Sequence, residues 1–114
     1  MPNSLPDGVE LALLVKQGKA SPTELLEDAI SRANDLNPSL NAIVHRLDEQ
    51  ARTSAKEMSE QKAPEDATLW GVPFLTKDLT VMTEGDPYHA GNVGLGDSGY
   101  RADHPAPLPT LFHS

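Results

Sequence analysis

Between Leu69 and Leu79 the chain reads Leu-Trp-Gly-Val-Pro-Phe-Leu-Thr-Lys-Asp-Leu, its densest apolar run, with polar segments on both sides. A run of this kind, rich in Val, Phe and Leu, predicts a buried strand. One ammonium group, Lys77, sits inside it, with Asp78 as its only charged neighbour. Burying an unpaired charge is expensive. A buried lysine answers that cost by giving up its proton, which leaves a neutral amine able to act as a base. A lysine that merely reaches water along its aliphatic stem, or that pairs with Asp78, would serve structure alone.

The remaining 103 residues have little else with which to build a core. The chain has 114 residues, 38% of them hydrophobic and 4% aromatic, which suits one soluble domain with modest furnishing. No apolar run is long enough to span a bilayer. Met1 to Glu10 is polar and acidic, which disfavours a secretory signal and makes the cytosol the expected compartment. Cysteine is absent, so neither a disulfide framework nor a thiolate site is expected. The formal net charge of −8, with nine scattered Lys and Arg residues, disfavours nucleic acid and anionic membrane as partners. A solvated acidic surface explains that balance.

Helical patterns fill the first half. Val9, Ala12, Leu13 and Lys16 recur at helical spacing, and Gly18 is placed to end that helix. Ser21-Pro22-Thr23-Glu24 combines an N-cap serine, a first-turn proline and a glutamate three residues on, a capping box. Leu25, Leu26, Ala29, Ile30 and Ala33 carry its apolar stripe. Asn37-Pro38 should end it, because the residue before proline is pushed out of the α region. Leu40 to His45 is short and partly β-branched, and predicts a strand. A third helix is expected from Arg46 to about Gln61, with Leu47, Ala51, Ala55 and Met58 on its apolar face. Five of the eight glycines fall between Gly85 and Gly99, which predicts loops and turns. The last stretch, His104 to Ser114, alternates proline with other residues and is expected to be extended or disordered.

Several motifs invite chemistry. Gly94-Leu95-Gly96-Asp97-Ser98-Gly99 fits G-x-G-x-x-G, yet Tyr100-Arg101-Ala102-Asp103 and then prolines follow it, with no apolar helix. No cofactor site is expected from it. The embedded G-D-S-G would need a histidine and an aspartate placed by a large preceding fold, which the sequence does not offer. His89, His104 and His113, with Asp86 and Asp103, have no metal-ligand spacing and read as exposed loop residues, so no metal is expected. Lys77 remains the one candidate catalytic residue.

Two blocks resemble the amidase signature family, which hydrolyses C–N bonds in carboxamides. One is the helical opening, S-P-T-E-L-L-E at Ser21 to Glu27 with N-P-S-L-N-A-I-V at Asn37 to Val44. The other is W-G-V-P-F-L-T-K-D-L at Trp70 to Leu79, in which the family's catalytic lysine falls on Lys77. The continuation T-V-M-T-E-G-D from Thr80 and S-G-Y-R-A-D-H from Ser98 is similar to the branch of 6-aminohexanoate-cyclic-dimer hydrolases, which open cyclic nylon oligomers. The resemblance runs from about Gly8 to His104. It implies an α/β fold: the N-terminal helices and first strands of an α/β/α amidase sandwich around a mixed sheet. It also implies a Ser–cis-Ser–Lys relay without a cofactor, acting on a small amide substrate. Lys77 would take a proton from a serine held by a cis peptide, and that serine would activate a second serine as nucleophile.

The sequence departs from the family in one decisive respect. No Gly-Ser-Ser-Gly-like segment occurs anywhere in it. Residues 1–104 therefore read as the N-terminal part of an amidase domain, and residues 105–114 as a Pro-rich tail outside the family pattern. Such a truncated chain is expected to be inactive alone. An alternative reading makes it an interaction module that complements a separate chain carrying the serine signature.

Overall fold

Capping chemistry sets most of the helix ends. The computed structural model describes residues 4–79 and 81–112, except the side chains of Pro109, Thr110 and Phe112. It divides into two compact units, Met1–Pro73 and Phe74–Ser114.

In the first unit, α1 spans Gly8–Lys16. Asp7 and Glu10 form a capping box: the Glu10 amide donates to the Asp7 carboxylate at 2.9 Å, and the Asp7 amide to Glu10 Oε2 at 2.8 Å. The helix ends where Gly18 adopts φ +68°, as its glycine predicts. α2 spans Pro22–Leu40, opened by the predicted Ser21–Glu24 box at 3.1 and 3.0 Å. α3 spans Asp48–Ser59, inside the predicted range.

α2 and α3 pack together as an antiparallel pair of consecutive helices. Their shared core is small: Leu26 and Ile30 from α2 and Ala55 from α3 are buried, with Ala51 packed against them. These are the predicted apolar stripes. Each large side chain withdrawn from water contributes roughly 1.5–3 kcal/mol. Two arginines strap the pair from outside. Arg46 holds Asp48 with two bonds, at 2.7 and 3.1 Å, and reaches Asn34 Oδ1 of α2 at 2.8 Å. Arg52 of α3 donates to Glu27 of α2 at 2.7 and 3.2 Å, and to Glu49 of its own helix.

Three expectations fail in this part of the chain. The helix does not stop at Asn37; it runs through Pro38 to Leu40. Only two helical residues follow the proline. The Asn41 amide closes the final turn on the Asn37 carbonyl at 2.7 Å, and the Ser39 hydroxyl donates to the Leu36 carbonyl at 3.0 Å. Next, Leu40 to His45 is not a strand. Asn41 takes the left-handed conformation at φ 50°, and Ile43 gives both backbone groups to the Asn37 side chain. The Ile43 amide donates to Asn37 Oδ1 at 2.8 Å, and Asn37 Nδ2 donates to the Ile43 carbonyl at 3.0 Å. Backbone groups so engaged cannot join a ladder.

The apolar run is not a strand either. It is divided between the units: Leu69 to Pro73 belong to the first and Phe74 to Leu79 to the second. The Val72 amide closes a turn on the Leu69 carbonyl at 3.2 Å, and residues 72–77 have no regular structure. Among the described residues all five elements are helices, and the single β pairing is one antiparallel bridge, Pro87 to Arg101. The expected first strands of an α/β sandwich are therefore not found among the described residues. A strand needs a neighbouring strand to satisfy its backbone groups, and the described elements include none.

Gly71, inside the same run, is required where it stands. Its φ is +77°, and a Cβ there would lie 2.9 Å from Cγ of the buried Pro22 and 3.4 Å from Val15. Only a residue without a side chain lets this turn lie against the start of α2.

In the second unit, α4 spans Val93–Ser98 and α5 spans Pro107–Phe112. Both correct the expectation of loops and an extended tail. Asn92 caps α4, its Oδ1 accepting from the Leu95 amide at 3.3 Å. Pro107 and Pro109 fall at the first and third positions of α5. Amides there have no partner within the helix, so nothing is lost by lacking them. His113 and Ser114 lie outside the described residues. No helix among the described residues is long and apolar enough to cross a membrane.

Candidate functional site

Lys77 lies in the second unit, on the irregular stretch that ends in a turn at Asp78 and Leu79. Its side chain is exposed, contrary to the buried position the apolar run predicts. The cause is the missing strand: the residues flanking it, Phe74, Leu75 and Leu79, are themselves between 51 and 74% exposed. Lysine burial would require a sheet that the described residues do not supply.

The backbone around Lys77 is nevertheless tied down. Asp78 does not neutralise Lys77. Its Oδ1 accepts a hydrogen bond from the His89 amide at 3.0 Å, which anchors the turn after the lysine to a loop eleven residues on. Sequence reasoning missed that role, and the Lys-Asp dipeptide was the only available signal.

Further along, residues 82–87 are laced to residues 101–106. The Gly85 amide donates to the Ala102 carbonyl at 2.8 Å, the Ala102 amide to the Asp86 carbonyl at 3.0 Å, and the Ala106 amide to the Met82 carbonyl at 2.8 Å. Arg101 Nη1 adds a bond to the Gly85 carbonyl at 2.9 Å. Ala102, 4% exposed, is buried in this lacing. The two stretches that the sequence singles out after Lys77, T-V-M-T-E-G-D and S-G-Y-R-A-D-H, are thus partners in space.

The discarded motifs find ordinary uses. Gly94 and Gly96 are inside α4, and Gly99 is its left-handed cap, so G-x-G-x-x-G is the helix itself and not a loop before one. A Cβ on Gly96 would stand 3.2 Å from the His89 ring. Ser98 donates to the Leu95 carbonyl at 2.9 Å, as a helix-end serine does. Exposed His104 contacts exposed Asp103 at 2.6 Å, and that hydrogen bond holds the Asp103 carboxyl below its ordinary range. His89 is half-buried instead of exposed, and His113 is outside the described residues.

A groove of about 650 Å³ opens in the first unit beside the α1–α2 turn and the end of α3. Its polar lining includes Lys16, Lys19, Ser21, Glu24, Lys62 and Glu65. Several of these groups already serve the fold. Glu24 accepts from the Ser21 amide, and Lys16 Nζ donates to the Glu65 carbonyl at 3.3 Å.

Comparison with known proteins locates this arrangement. The Amidase family profile matches residues 24–103. A 6-aminohexanoate-cyclic-dimer hydrolase from Pseudomonas sp. (strain NK87) is 42% identical over 100 residues, covering 88% of this chain and 19% of that protein. An acylamidase from Rhodococcus erythropolis is 38% identical over 91 residues, covering 78% of this chain and 19% of that protein. Among solved structures, a 6-aminohexanoate cyclic dimer hydrolase complexed with substrate superposes with a TM-score of 0.76 at 40% identity, over 88% of this chain and 19% of that one. The chain thus spans about a fifth of the length of these relatives. The family match takes in α2, α3, the Lys77 stretch and the lacing behind it, and the chain belongs to the amidase family.

Proposed function

We propose that this chain supplies the lysine-bearing portion of an enzyme that hydrolyses carboxamide C–N bonds, with cyclic or linear amide oligomers as the substrate class. The observation that carries this reading is that G-V-P-F-L-T-K-D-L lies within the family-matched residues of a chain 42% identical to a hydrolase of a cyclic amide dimer.

In the proposed relay Lys77 acts as base. Its neutral amine accepts a proton from a bridging serine, which accepts one from a nucleophilic serine as that oxygen attacks the amide carbon. Backbone N–H groups stabilise the tetrahedral oxyanion. As the C–N bond breaks, the relay returns the proton to the departing amine, and water then releases the acyl group by the same path. Such a base works best enclosed and stripped of water. The exposed Lys77 of this chain lacks that enclosure, and the sequence holds no Gly-Ser-Ser-Gly-like segment to complete the relay. The chain alone is therefore proposed to be inactive.

The test is a chimera in which this chain replaces the matching residues of the Pseudomonas hydrolase. Turnover of a cyclic amide dimer should fall by about 10²- to 10⁴-fold on Lys77→Ala. A folded chimera that turns over equally well with and without Lys77 would refute the role.

A further inference from the structure

We infer that the exposed apolar stripes of α1 and α2 are docking faces for the complementary four-fifths of an amidase domain. Val9 and Leu13 lie one turn apart on α1 and are 58 and 51% exposed, while Ala12 of the same helix is buried. Leu36 and Leu40 repeat the spacing on α2 at 55 and 65%, and Val44 follows at 56%. Residues four apart share a helix face, so each pair is a stripe and not scattered exposure. Soluble monomers rarely leave such groups uncovered. Among the described residues, fourteen large hydrophobic side chains are exposed, whereas the buried ones of comparable size are Leu26 and Ile30. The ordinary preference is inverted, so the larger part of the apolar surface is held for something else.

The occupant follows from size and charge. The same backbone arrangement recurs, at 40% identity, inside a chain of which it makes up 19%, so the remaining four-fifths of that chain is there to cover these helices. A second copy of this chain is a poor occupant, because each carries a formal charge of −8. This inference rests on family membership and on the reading of the chain as one portion of an amidase. It is independent of what Lys77 does.

The full 114-residue chain and the chimera described above provide the test. Val9→Glu with Leu13→Glu, and separately Leu36→Glu with Leu40→Glu, should leave the helical circular dichroism of the isolated chain unchanged. In the chimera each pair should lower the melting temperature by at least 5 °C, whereas Lys77→Ala should not move it. When the chimera's remaining four-fifths is supplied as a separate polypeptide, the unmodified chain should co-purify with it and the Glu variants should bind at least tenfold more weakly. Three results would each overturn the inference. One is a chimera that fails to fold where its parent folds, and another is a chimera indifferent to the Glu pairs. The third is a concentration-dependent homodimer of the isolated chain that the Glu pairs abolish. Loss of turnover dependence on Lys77 with these shifts intact would instead strike at the catalytic reading alone.

Discussion

Gly71→Ala is the most informative single substitution, because two separable penalties meet at one Cβ. At φ +77° an L-residue incurs about 1–2 kcal/mol relative to its preferred conformations. The added methyl would also stand 2.9 Å from Pro22 Cγ and 3.3 Å from Pro22 Cβ, and a proline ring at the start of α2 cannot swing aside. Forcing an extra carbon into a packed contact costs about 1–3 kcal/mol. Reduced entropy of the unfolded chain returns about 0.4–1 kcal/mol. The net loss is about 1–4.6 kcal/mol. Gly18→Ala is the matched control: its φ is +68°, but nothing lies within 4 Å of the added carbon, so only the conformational part applies. Urea unfolding followed at 222 nm should show Gly71→Ala destabilised by at least about 1 kcal/mol more than Gly18→Ala, roughly 4–8 °C in melting temperature for a unit of this size. Equal losses for the two variants would refute the close approach of residues 69–72 to α2.

Other perturbations probe the first unit from different sides. Asn37→Ala removes both bonds to Ile43 and should cost about 1–3 kcal/mol, with faster amide exchange at Ile43; unchanged exchange there would contradict the clamp. The acid limb of stability should trace to the arginine straps. The hydrogen bond from Arg52 holds the Glu27 carboxyl below its ordinary 4.5, and that from Arg46 holds Asp48 below 3.8. Groups with depressed folded values stabilise fully above their unfolded values and lose that contribution as pH falls through the folded ones. Stability should therefore be flat above about pH 5 and decline below about pH 4. Arg52→Ala should flatten part of that decline, which urea titrations at a series of pH values would reveal; an unaltered acid slope would exclude the Glu27 pair as its source.

The sequence was most legible where structure is local. Ser21 and Glu24 announce the start of α2 through groups three residues apart, and the stripes of Leu26, Ile30 and Ala55 declare which faces meet. Legibility failed where an outcome depends on distant partners. Leu40 to His45 and Leu69 to Leu79 carry the residues of strands, yet a strand is a property of a pair, and one sequence window cannot say whether its neighbour is present. The prolines failed for a subtler reason. Pro38, Pro107 and Pro109 are breakers only where an amide was needed, and near a helix end it was not. Lys77 shows both sides: its family was readable from the surrounding residues, and its exposure was not, because burial belongs to the missing sheet.

The pairing of α2 with α3 also fixes an order in time. Helices that are consecutive in the chain meet across a seven-residue connection, and such local contacts form in microseconds to milliseconds. Lys77 is added to the growing polypeptide 18 residues after α3 is complete, roughly one to four seconds at ordinary rates of synthesis. Both helices of the hairpin are therefore in the chain before the apolar run begins at Leu69. Within the first unit, Gly71 is then added after Pro22 and Val15, the residues it settles against, are already in the chain.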